Sequence, residues 1–120
     1  MKQVVVIGIL PQEKMRARAI AIATGKYKPK PGEPKVWFPS MKSVAETLSD
    51  KNIELIKIIA QQKPASIAEL SEKTGRAQSN LSRTLNRLAS YGFVKLERRP
   101  GNVVKPIAQA LKYHIHAIAA

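Results

Sequence analysis

Cysteine is absent from the 120 residues. That excludes a disulfide framework, a thiolate metal site and a cysteine nucleophile, and it fits a cytoplasmic protein. Aromatic residues make up only 5% of the chain, too few for a platform on which single-stranded bases stack; Trp37, Phe38, Tyr91 and Phe93 are expected to pack instead. No apolar run approaches the roughly 20 residues that span a bilayer, so the expectation is a soluble chain without membrane contact. Met1–Leu10 has a lysine and an apolar run, yet no A-x-A cleavage pattern follows it and Pro11-Gln12-Glu13-Lys14 begins a charged stretch. It reads as a strand and not as a signal peptide. Ser-His-Asp order, a Gly-rich phosphate loop and paired carboxylates in a pocket-forming context are all lacking, so no catalytic residue and no enzyme activity are expected. His114 and His116 are the only histidines. Two ligands are too few for structural zinc, so neither metal nor cofactor is expected.

Acids are scarce as well: Lys and Arg number 21 against 8 Asp and Glu, a formal charge of +13. A polyanion whose counterions can be released is the natural partner, nucleic acid before a membrane surface. The imbalance is concentrated late in the chain. From residue 73 onward Lys73, Arg76, Arg83, Arg87, Lys95, Arg98, Arg99, Lys105 and Lys112 face the single acid Glu97.

Four stretches are distinguished. Residues 1–25 form an N-terminal strand-helix extension: Gln3–Leu10 is β-branched and continuous, as in a strand covered on both faces, and Pro11 opens a helix to about Thr24 that Gly25 caps. Residues 26–39, with four prolines, Gly32 and several lysines, are expected to be an extended connector without regular structure, docked onto the next unit by Trp37 and Phe38. Residues 40–106 are punctuated as helices followed by a hairpin. Ser43 and Glu46 suit a capping box; Ser49-Asp50 caps a helix carrying Ile53, Ile56, Ile59 and Ala60 until Pro64; Ser66 and Glu69 form a second box, and Gly75 ends that helix in a tight turn. A further helix runs over 77–91, and Phe93–Arg99 and Val103–Lys105 flank Pro100-Gly101-Asn102 as a hairpin. Residues 107–120 are strand or helix: Leu111, Tyr113 and Ile115 alternate, whereas Leu111, Ile115 and Ile118 also fit a helical period.

On the helix at 77–91, Ala77, Leu81, Thr84, Leu85 and Leu88 share one face at about 100° per residue. The opposite face carries Ser79, Ser82, Arg83, Asn86 and Ser90, with Arg76, Gln78, Asn80 and Arg87 alongside. Hydroxyls, amides and guanidinium groups are what a helix needs in a DNA major groove, where Arg pairs with guanine, Asn with adenine and Ser with bases or phosphates. Two helices joined by a short Gly-containing turn suit that use. Lys95, Arg98, Arg99 and Lys105 on the hairpin could reach phosphates or the adjacent minor groove.

Ser66-Ile67-Ala68-Glu69-Leu70-Ser71-Glu72-Lys73-Thr74-Gly75, then Gln78–Leu85 and Leu88-Ala89-Ser90-Tyr91-Gly92-Phe93-Val94, resemble winged-helix regulators of the MarR type, over about residues 40–105. The resemblance implies an α+β winged helix-turn-helix of three to four helices plus a β-hairpin wing over 93–106. It places Ser79, Asn80, Ser82, Arg83 and Arg87 on a recognition helix and Arg98 and Arg99 on the wing. MarR proteins dimerise through long terminal helices, where this chain has a strand, a helix and a Pro-rich connector. The whole chain also resembles short prokaryotic transcriptional regulators, some paired with toxins. The expectation is therefore a double-stranded-DNA-binding repressor; the alternative is an antitoxin that neutralises a toxin partner and represses its own operon. The apolar stretches at the two termini would leave strand edges unpaired unless they pair with each other or across a two-fold axis, and the second arrangement makes the expected homodimer.

Overall fold

In the computed structural model, which describes residues 4–117, the chain is a mixed α+β protein. Among the described residues five helices and two sheets follow one another as β1 (Val4–Ile9), α1 (Gln12–Ala23), β2 (Val36–Phe38), α2 (Met41–Thr47), α3 (Asp50–Gln62), α4 (Ile67–Thr74), α5 (Gln78–Ser90), β3 (Val94–Arg99), β4 (Val103–Ala108) and β5 (Lys112–Ala117). Contacts divide them into two compact units, residues 47–111 and residues 4–46 with 112–117. The strand-helix extension, the connector and the last strand thus fold as one body, and α2 falls with them up to Glu46.

In that body β1 is the middle strand of a parallel sheet, order β2-β1-β5, with Ile7 opposite both Val36 and Ile115. A middle strand has both edges paired, which suits the continuous apolar run; Ile7 and Phe38 are fully buried. Gln3 and Ile118 lie outside the described residues, and the terminal stretch from Lys112 to Ala117 is strand. Pro11 precedes α1 as its N-cap, its carbonyl accepting from the Lys14 and Met15 amides, and Gly25 follows in the left-handed region at φ 77°. The helix has no fully buried residue, and Ile20 and Ile22 are exposed.

The connector departs from expectation. Val36–Phe38 forms β2 and pairs with β1, so Trp37 and Phe38 lie on a strand joined to the preceding one. Gly8 sits opposite Trp37, and a Cβ there would lie 2.3 Å from the indole. Only glycine lets the ring lie on the sheet. Arg18 of α1 stacks between Tyr27 and Trp37, 5.1 and 5.0 Å from their centroids, and pairs with Glu33 at 2.8 Å. Tyr27 donates its hydroxyl hydrogen to Glu33 Oε1. This bond first, then Arg18, holds the Glu33 carboxyl below its usual range, while Glu33 and then Tyr27 raise Arg18.

The body formed by residues 47–111 is built by helix caps. Ser49 accepts from the Asn52 amide to open α3, and Ser66 accepts from the Glu69 amide to open α4 while Glu69 accepts from the Ala65 amide. In the other body the cap of α2 is Ser40, which accepts from the Ser43 amide at 3.1 Å; Ser43 is thus inside the first turn and does not form the expected box with Glu46. Lys63 ends α3 in the left-handed region at φ 48°, with Pro64 following, and Gly75 ends α4 at φ 75°. The core joins Leu55, Ile56, Ile59, Leu70, Leu81, Leu85, Leu88, Phe93 and Val94, all at most 2% exposed. Each such side chain contributes about 1.5–3 kcal/mol by leaving water. Ile53, placed with them by spacing, is exposed. β3 and β4 make an antiparallel hairpin whose pairing extends to Ala108, beyond the expected end at 106.

Candidate nucleic-acid interface

α5 follows α4 after Gly75, Arg76 and Ala77, and its apolar residues Leu81, Leu85 and Leu88 are wholly buried. Burial of that stripe orients the remaining surface. Gln78, Ser79, Asn80, Arg83, Asn86, Arg87 and Ser90 are exposed, and Ser82 is half-buried. No acid lies on the helix. Its first turn has no side-chain cap, because Ala77 stands at the N-cap position. Amides of that turn therefore remain without a side-chain acceptor and carry the positive end of the helix dipole.

Three side chains of this region bond back onto the helix itself. Arg76 donates from Nε to Asn80 Oδ1 at 3.0 Å and from Nη2 to Thr84 Oγ1 at 3.3 Å, so it braces α5 from the Gly75 turn. Asn80 keeps its amide N–H groups for other acceptors. Asn86 donates to the Ser82 carbonyl at 2.8 Å and Ser90 to that of Arg87 at 2.6 Å. Arg83 and Arg87 are the two exposed guanidinium groups of the helix.

The hairpin separates charges that sequence proximity groups. Its register places Leu96 and Arg98 opposite Pro106 and Val104, while Lys95, Glu97 and Arg99 lie opposite Ile107, Lys105 and Val103. Alternation therefore puts Arg98 on one face, and Lys95, Arg99 and Lys105 on the other. Glu97 occupies the middle of that second face, 2.7 Å from Arg99 and 3.6 Å from Lys95. Lys105 also lines a shallow apolar groove with Ile59, Ala60 and Lys63. The turn itself is Gly101 at φ 80° and Asn102 at φ 59°, the two residue types that tolerate such angles. Glu97 as a shared counterion was missed by sequence reasoning, although its i±2 spacing to Lys95 and Arg99 on a strand was a readable signal.

His114 and His116 lie on one face of β5, as their spacing implied, both exposed. No helix among the described residues is long and apolar enough to cross a membrane. Residues 47–115 match the family described as HVO_A0114, more than half of the chain. No curated protein matches the chain.

Proposed function

Since the chain belongs to the HVO_A0114 family by a span that contains all of α3 to β4, we propose that this span is a winged helix-turn-helix of MarR-like type and that the protein is a sequence-specific double-stranded-DNA-binding regulator, a repressor. The observation that carries the reading is the outward surface of α5: seven exposed polar side chains, two of them guanidinium groups, and no carboxylate. The order α3, α4, α5, β3, β4 supports it, since a bracing helix, a reading helix and a hairpin occur in that sequence in winged helices. The +13 charge supplies the sequence-independent attraction. Arg83 and Asn80 are assigned to base edges, Ser79 and Arg87 to base edges or phosphates, and Arg98, Arg99 and Lys95 to the backbone.

The test is selection of bound duplexes from a random pool, followed by the selected site with two variants. Arg83→Ala should cost about 1–3 kcal/mol and relax preference at one position. Arg99→Ala should weaken all duplexes alike and lower the salt slope by about one unit. Failure of the pool to enrich any sequence overturns the reading, and an unchanged selected sequence with Arg83→Ala removes α5 from the groove.

A further inference from the structure

The three-stranded sheet has two edges of different character. β2 is three residues long, lies between Pro34 and Pro39, and carries the Trp37 indole over Gly8. Short length and flanking prolines are devices that keep an edge from pairing. β5 is six residues long and contains no proline, and its side chains are exposed apart from half-buried Tyr113. Leu111 and Ile115 are among the large apolar residues exposed on the chain, at 48% and 43%. Exposed Lys112 guards only the first position of β5; from Tyr113 to Ala117 the strand carries no Lys, Arg, Asp or Glu, so along that stretch neither of the usual guards, a charge or a proline, stands on the edge.

We propose that the outer edge of β5, an edge strand of the sheet among the described residues, pairs antiparallel with β5 of a second copy of this chain, so that two sheets join into one across a two-fold axis. Three observations favour a second copy over another partner. An edge pairing about a two-fold is isologous and leaves no open β5 edge on either side. The uncharged stretch is where two molecules of +13 can meet with least repulsion. The strand is also self-complementary. For the faces of the joined sheets to be continuous, directly opposed residues must belong to the same face, which puts the axis on a residue and not between two. With the axis at Ile115, Ile115 meets its own copy, the large Tyr113 meets the small Ala117, and His114 meets His116. The three apolar positions then form one strip, on the side of the sheet where β5 places Tyr113 beside Val5 and Ile115 beside Ile7.

The pairing rests on the sheet alone and is read without DNA, so its failure and that of the DNA-binding reading are distinguishable. Because the chain has no cysteine, a single introduced thiol is an unambiguous probe. Opposed residues on antiparallel strands have Cα atoms about 4.5–5.5 Å apart, within disulfide reach. The full chain should sediment at twice 13.2 kDa, and Ile115→Cys should convert to a covalent dimer under mild oxidation, while Ile20→Cys on exposed α1 should not. Ile115→Lys, which puts two ammonium groups face to face, should sediment as a monomer with an unchanged circular dichroism spectrum. A monomeric parent chain overturns the proposal, as does a dimer that survives Ile115→Lys, or cross-linking at Ile20 with none at Ile115.

Discussion

Thr47, the last residue of α2, is 0% exposed, and its hydroxyl has no hydrogen-bond partner among the described residues. Its carbonyl is satisfied by the Asn52 side chain at 2.9 Å, so the deficit belongs to Oγ1 alone. A buried hydroxyl without a partner costs about 1–3 kcal/mol of desolvation. Valine has nearly the same shape and needs no partner. Thr47→Val should therefore raise stability by about 1 kcal/mol in urea unfolding, whereas Thr47→Ser, which keeps the hydroxyl and removes a methyl group, should lower it. A Val variant no more stable than the parent would mean that the hydroxyl is satisfied after all.

Among the elements, those begun and ended by local chemistry were legible. Ser49 and Ser66 cap α3 and α4 where the motif places them, and Pro100-Gly101-Asn102 turns the hairpin, because each signal and its acceptor lie within a few residues. Ser40 and Ser43 show the limit: two hydroxyls three residues apart both fit a cap, and only the one preceding the turn serves. β2 was hidden because its three residues acquire strand character by pairing with β1, about thirty positions earlier, in a stretch whose prolines argue for an irregular chain. The packing of that stretch onto α1 depends on Arg18, Tyr27, Glu33 and Trp37, a group no spacing rule brings together. It also predicts an acid response. Glu33 titrates lower folded than unfolded, so its contribution is fully present above the unfolded carboxylate range and is lost as pH falls through the folded value. Thermal melts from neutral to acid pH should show the parent losing stability faster than Glu33→Gln, which has no carboxyl to protonate. Parallel curves for the two proteins would show that the carboxylate does not hold the connector.

For the molecule as a whole, the face of α5 was legible because a helical wheel needs only the period, while the division of the hairpin charges required the strand register. The division into two bodies required contacts between distant residues and was not foreseen at Glu46 and Leu111. One body is continuous in sequence and contains its own buried leucine and isoleucine core, so residues 47–111 expressed alone should give the circular dichroism and amide dispersion of a folded protein, and residues 4–46 alone should not. An unstructured 47–111 piece would contradict the division. The other body brings Val4 beside Lys112, and that pairing has a consequence in time. A ribosome adds about 5–20 residues per second, so β1 emerges with its valines and isoleucines roughly 5–20 s before β5 has been made. Throughout that interval one side of the strand has no intramolecular neighbour, while the intervening body can already complete its helices. β1 is paired on both sides only once β5 has been made, which makes the nascent chain dependent on whatever shields that apolar edge until β5 arrives.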